Sequence, residues 1–132
     1  MSDRKWVTSG TTWEALAGYA RAVRVGDTIY VSGTTAMGPD GLVGGNDPAA
    51  QARFVLEKIE AALRQLDSSL GDVVRTRVYV SDVGHWEPVA RVHGEVFGAI
   101  RPANTLVEAR LVGPQFLVEI EAEARVGSGA SL

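Results

Sequence analysis

Residues 116–124 read as a strand, with apolar and polar residues alternating from Val118 to Ala124. Phe116, Val118, Ile120, Ala122 and Ala124 fall on one side of the predicted strand, and Leu117, Glu119, Glu121 and Glu123 on the other. Three carboxylates on one face repel one another and cannot all be buried unpaired. That face is therefore wet, paired with arginines, or the wall of a site. A strand is also predicted just upstream, over Thr105–Leu111. Val112-Gly113-Pro114-Gln115 forms the short loop that joins the two.

Earlier in the chain, Trp6–Ser9 reads as a short first strand and Gly10–Trp13 as loop. Tyr19–Val25 and Thr28–Ser32 read as a hairpin whose two-residue turn is Gly26-Asp27, glycine supplying the positive φ of a type II′ turn. Gly33–Asn46 holds five glycines and a proline and is predicted to be a long loop. Asp47-Pro48 then opens a helix, the aspartate as N-cap and the proline at the first helical position. Ala52, Val55, Leu56, Ile59, Leu63 and Leu66 recur at helical spacing and mark its buried stripe. Val74–Val80 is a strand with Val74, Thr76, Val78 and Val80 on one face and Arg75, Arg77 and Tyr79 on the other. Ser81 or Asp82 caps a second helix near Trp86–Phe97, with Trp86, Val89, Ala90, His93 and Phe97 inward.

Strands, helix, strand, helix, strands is the order of an α/β sandwich: one mixed sheet with two helices packed on one face. Val23, Val25, Val31 and Leu117 leave apolar side chains on both sides of the strands, so the open sheet face calls for an oligomeric partner. At 132 residues the chain is read as one domain over 1–132, with 127–132 a loose tail of small polar residues.

Composition narrows the function. The net charge of −3 argues against a nucleic-acid partner, which calls for clustered lysine and arginine. No cysteine is present, so there is no thiol nucleophile and no thiolate metal site. A cytoplasmic protein fits that usage. No apolar run approaches a membrane span, and the start MSDRKWVTSG lacks the apolar stretch of a signal peptide. Two histidines eight residues apart, His85 and His93, give no metal-binding spacing. The expectation is a site with no metal and no cofactor.

The stretch RPANT at 101–105, followed by VEIEAEA at 118–124, resembles the C-terminal signature of the RidA/YjgF family, also called endoribonuclease L-PSP. Gly18-Tyr19, Val31-Ser32-Gly33 and Val78-Tyr79-Val80-Ser81-Asp82 resemble the family's other motifs, in the family's order. The resemblance implies a chorismate-mutase-like fold and a homotrimer with three clefts between subunits, each taking a small molecule. In active imine deaminases of this family an arginine directly after Pro-Ala grips the substrate carboxylate, and a glutamate at the position of Glu119 positions the attacking water. Here Asn104 stands where that arginine belongs. An amide carries no charge and cannot form the paired charge-assisted bonds of a guanidinium.

Several residues are candidates. Glu119 either orients a water in a cleft or is one of three solvated acids paired with Arg110 or Arg125. Arg101 either reaches the cleft or makes a surface ion pair, its odd offset from Asn104 pointing it to the opposite face. His93 is a core histidine, a general base or a ligand contact. Ser32 lacks the surroundings of a nucleophile and reads as a hydroxyl contact to a ligand, with Gly33 allowing close approach. Tyr19 either walls the cleft or packs in the core. Two functions compete: a cofactor-independent hydrolase that releases ammonia from an imine or enamine, and a non-catalytic member that binds a small metabolite. A ribonuclease has no support in so acidic a chain with no aromatic-basic platform.

Overall fold

The computed structural model of the protein describes residues 3–131. Its main sheet has six strands: β1 (Arg4–Val7), β2 (Ala22–Val25), β3 (Thr28–Thr34), β6 (Val73–Val80), β7 (Ala103–Glu108) and β8 (Val118–Arg125). A small hairpin of β4 (Met37–Gly38) and β5 (Gly41–Leu42) interrupts the predicted long loop. The sheet order is β1-β2-β3-β8-β6-β7. All neighbours are antiparallel except β6 and β7, which are parallel. Helix α3 (Trp86–Phe97) supplies the crossover that a parallel pair needs.

The two strands joined by a short loop are therefore not partners. β6 lies between β7 and β8, and residues 109–117 step across its end: the Ala109 amide donates to Val80 O and the Ser81 amide to Leu117 O, at 2.9 and 3.0 Å. The alternation of β8 holds as read, with Val118, Ile120, Ala122 and Ala124 all buried.

Helix α2 (Pro48–Gln65) lies over β3 and β8, with α3 beside it on the same face. Asp47 caps it by accepting from the Ala49 and Ala50 amides, and the predicted stripe is buried throughout. Two strand and helix faces differ from expectation. The register of β6 against β8 slips between Val73 and Arg75, so Val74 turns outward while Val73 takes the core position. In α3 the buried residues are Val89, Val92 and Phe97, and Trp86 is 53% exposed. Asp82 caps a 3₁₀ turn, Val83–His85, so Trp86 sits at the helix entrance beyond the edge of the core.

The largest omission is α1 (Thr12–Ala17), which begins inside the Gly10–Trp13 segment read as loop and ends before the strand read from Tyr19. Thr11 is its N-cap, and Glu14 occupies the third helical position, the spacing of a capping box. Gly18 ends it at φ +72°, a left-handed conformation that suits glycine. Of the tail read as loose over 127–132, Ser128–Ser131 forms a 3₁₀ turn whose Gly129 amide donates to Asp72 Oδ1 at 2.9 Å, and Leu132 lies outside the described residues.

The face opposite the helices carries Trp6, Val23 and Tyr30 in one register row with Glu123. Trp6 and Tyr30 are more than half exposed. Next to them, Arg77 donates to Glu123 at 3.1 Å and lies 4.0 Å from Glu121, which also accepts from Tyr79. The carboxylate row thus divides its burden. Glu121 and Glu123 are paired with Arg77, not with Arg110 or Arg125, and Glu119 goes elsewhere.

Candidate functional site

Glu119 enters a cleft of about 220 Å³ at the end of the sheet, where β3 leaves and β8 begins. β3 bulges beside the cleft. Pairing passes from Val31↔Ala122 to Thr34↔Ile120, so β3 spends one residue more than β8 over this interval. Bulges of this kind re-aim side chains beside sites. The extra residue sets Gly33 directly against the Glu119 carboxyl: a Cβ added at Gly33 would collide with Oε2. The Ser32 hydroxyl is turned back to donate to Ala20 O at 2.7 Å.

Three further elements close the cleft. From α1 come Trp13 and Leu16, and from the following segment Tyr19 and Arg21. From α2 comes Lys58, and from the 109–117 crossing come Val112 and Phe116. Trp13 and Phe116 meet edge to face, with centroids 6.0 Å apart. The crossing is held by Gln51, which is fully buried on α2. Its amide donates to Gly45 O and Gln115 O at 2.7 and 3.0 Å and accepts from the Leu117 amide at 2.9 Å. Gln51 thus gives three backbone groups of the surrounding loops a buried partner.

The electrostatics are unusual for so small a space. Burial pushes the Glu119 carboxyl above the usual carboxylate range; the Arg21 charge opposes the rise and the Glu121 charge adds to it. Lys58 is half-buried and its Nζ donates to Thr35 O and Met37 O, at 3.2 and 2.9 Å. Burial, then the Arg21 charge, lower its pKa, against the pull of Glu14. Arg21 is 7% exposed, donates from Nη1 to Thr34 Oγ1 at 3.3 Å, and lies 5.8 Å from the centre of the Tyr19 ring. Behind it sits Glu14, also buried, whose oxygens accept from the Ser9 amide at 2.9 Å, the Ser9 hydroxyl, and the Thr11 hydroxyl at 3.0 Å. Burial alone would push Glu14 up; the bonds from Ser9 and Thr11 and the Arg21 charge outweigh it and hold the group below its ordinary value.

The remaining candidates lie outside this cleft. Asn104 is on β7, paired in register with Thr76 and on the helix side of the sheet. Its Nδ2 donates to Thr76 Oγ1 at 2.9 Å, and Thr76 Oγ1 lies 2.8 Å from His93 Nε2. Which of these two donates follows the imidazole tautomer, since a hydroxyl holds one proton and two lone pairs. Burial lowers the His93 pKa, and the ring also rests 4.6 Å from Phe97. Arg101 is exposed after α3 at φ +60°, its amide bonded to Phe97 O. Ser32 lines a neighbouring shallow hollow with Trp6 and Tyr19. Of the sequence candidates, then, the structure brings together Glu119, Gly33 and Tyr19, and separates Ser32, Arg101, Asn104 and His93.

Arg21, Lys58, Glu14 and Trp13 were missed as site residues. A signal existed for two of them. Arg21 interrupts the small and apolar run Ala20, Ala22, Val23, and Lys58 follows Val55 by three and precedes Ala62 by four, which places it on the buried side of α2. A charge at such a position needs a partner or a purpose.

Comparison with known proteins agrees with this architecture. The family profile described as Endoribonuclease L-PSP matches residues 10–126. An uncharacterized protein of Streptomyces coelicolor is 36% identical, over 92% of each chain. A RutC family protein of Pyrococcus abyssi is 35% identical over 80% of this chain and 84% of its own. Among solved structures, Rv2704 of Mycobacterium tuberculosis, described as a member of the YjgF/YER057c/UK114 family, superposes with a TM-score of 0.86 at 47% identity. That match covers 94% of this chain and 100% of the other.

Proposed function

The chain belongs to the endoribonuclease L-PSP family, the RidA/YjgF group, and from that premise we propose that it is a cofactor-independent hydrolase of small imines or enamines, working in the Glu119 cleft. One observation carries the reading. Glu119 is a desolvated carboxyl with a raised pKa, pinned against Gly33 at the wall of a cleft that also holds cations. A carboxyl whose proton affinity is raised by burial is a stronger base than a solvated one, which suits it to take a proton from water during hydrolysis of a C=N bond. An imine is already electrophilic, so no electron sink is needed.

The ionised Glu119 accepts a proton as water adds to the carbon of the protonated C=N group, giving a neutral carbinolamine. Glu119 returns that proton to the nitrogen, the C–N bond breaks, and ammonia leaves as the hydroxyl gives its own proton back to Glu119 and the carbonyl forms. One water enters for each ammonia released. Trp13, Tyr19 and Phe116 give the cleft apolar walls, which strengthen every charge interaction inside it. We also infer a homotrimer whose contacts cover the exposed Trp6 and Tyr30 on the open sheet face; light scattering after gel filtration tests it by mass.

The decisive assay follows decay of 2-iminopropanoate, generated in place by an amino-acid lyase. Wild type is expected to accelerate decay and Glu119→Gln not to. Equal rates with and without wild-type protein would contradict the reading.

A second reading has its own support. Asn104, at the position of the family's carboxylate-gripping arginine, is tied to Thr76. A member of the family without that grip would bind a metabolite without turning it over. Binding in calorimetry, with no imine decay, is its signature.

A further inference from the structure

The cleft contains a buried guanidinium that the fold leaves under-satisfied. Arg21 has five N–H groups. Among the described residues its guanidinium makes one hydrogen bond, to Thr34 Oγ1, and its Nε is buried with no hydrogen-bond acceptor. Glu14 stands 3.8 Å from that Nε, too far for a hydrogen bond, because Ser9 and Thr11 already occupy its oxygens. Glu14 therefore fixes and charge-balances Arg21 without saturating it. A buried donor set kept short of acceptors costs stability, and it lines the cleft that Glu119 enters.

Lys58 approaches from α2 and lines the same space. Its ammonium gives two bonds to backbone carbonyls and has a third N–H to give. Two cationic side chains with N–H groups still to give thus line one cleft, which points to an anionic ligand.

We propose that Arg21, supported by Glu14 and joined by Lys58, is the anion-recognition group of this protein, seating a small monocarboxylate whose neighbouring carbon then faces Glu119. This rests on the Glu119 cleft being the ligand site, and it replaces the grip that Asn104 does not provide. The planar guanidinium suits a carboxylate, which offers two parallel acceptors.

Calorimetric titration of the whole protein with 2-oxobutanoate, a stable keto acid, tests the assignment. Wild type is expected to bind. Arg21→Gln should weaken binding by about tenfold or more, the equivalent of one lost charge-assisted hydrogen bond. Arg21→Lys, which keeps a charge beside Glu14 but not the fork, should fall between the two, and Asn104→Ala should match wild type. The uncharged ketone 2-butanone should not distinguish wild type from Arg21→Gln. If Arg21→Gln fails to fold with Glu14 stranded, the double variant Glu14→Gln/Arg21→Gln removes both charges and is expected to show the same loss.

Unchanged affinity in a folded variant without Arg21 overturns the proposal, as does a tenfold loss in Asn104→Ala. Failure of wild type to bind 2-oxobutanoate overturns it too; hydrolysis of uncharged imines in that case would leave the Glu119 mechanism standing. Arg21-dependent binding without any imine hydrolysis would do the reverse, retiring the hydrolase and supporting the anion site.

Discussion

The cleft at the β3–β8 end and the hydrogen-bonded chain on β6, β7 and α3 are built on opposite principles. In the chain, Asn104, Thr76 and His93 are neutral and satisfy one another: amide to hydroxyl at 2.9 Å, hydroxyl to imidazole at 2.8 Å. In the cleft, four ionisable groups crowd together, and the innermost cation is short of acceptors. A saturated network rigidifies a fold. An under-satisfied one stores interaction energy that a ligand can collect. Asn104 is bonded into the fold through Thr76, while Arg21, toward the opposite edge of the sheet, lines the cleft.

The largest effect that would sharpen this contrast is at Glu119. Glu119→Gln keeps size and removes the proton acceptor; imine hydrolysis should fall about 10²- to 10⁴-fold, measured by stopped-flow, with the melting temperature unchanged or raised. Thr76→Val attacks the other region. It leaves His93 Nε2 without its partner inside the protein and should cost about 1–3 kcal/mol in urea denaturation, while hydrolysis per folded molecule stays at the wild-type level. A loss of turnover there would break the distinction.

A smaller effect is expected at Gly33→Ala. The new Cβ meets Glu119 Oε2, the mobile end of a side chain, so the fold survives and the carboxyl shifts. Displacing a reacting group lowers kcat, by about tenfold for a shift under an ångström, with little change in KM.

The smallest effects are in pH. Burial raises the Glu119 pKa, so the acid limb of kcat/KM should lie above the usual carboxylate range. Glu121→Gln should move it down, since the Glu121 charge contributes to the rise. Stability carries the same sign: protonated Glu119 is favoured in the folded state, so its contribution is complete below the unfolded pKa and is lost as pH rises through the folded one. Glu14 and Asp72 run the other way. Both are held below their ordinary values despite burial, by hydrogen bonds from Ser9 and Thr11 and from Ser68 and the Gly127 to Gly129 turn respectively. Their stabilisation is present above the unfolded pKa and is lost as pH falls through the folded pKa. Thermal melts across the acid range check both directions.

How much of this was legible depended on whether the signal was local. The buried stripe of α2, the alternation of β8 and the Asp47-Pro48 cap follow from spacing alone, and all appear as read. Helix α1 carries its signal in the cap spacing of Thr11 and Glu14 rather than in periodicity, since a six-residue helix is too short to show one. The partnership of β6 with both β7 and β8 is a tertiary outcome that no pair of adjacent segments encodes. Glu119 stood out because a row of acids demands an explanation. Arg21 did not, because its importance comes from the bulge in β3 and from the saturation of Glu14 by Ser9 and Thr11, both set by contacts across the fold. Asn104 was legible as a departure from the family, but its bond to Thr76 needed the parallel register of β6 and β7.

The most direct test of the contrast is to titrate isotope-labelled protein with 2-oxobutanoate and map backbone amide shifts. The account predicts that Arg21, Gly33, Thr35 and Glu119 move together in one saturable curve while Thr76, His93 and Asn104 stay in place. Shifts centred on Asn104, Thr76 and His93, with the Arg21–Glu119 cleft silent, would contradict it.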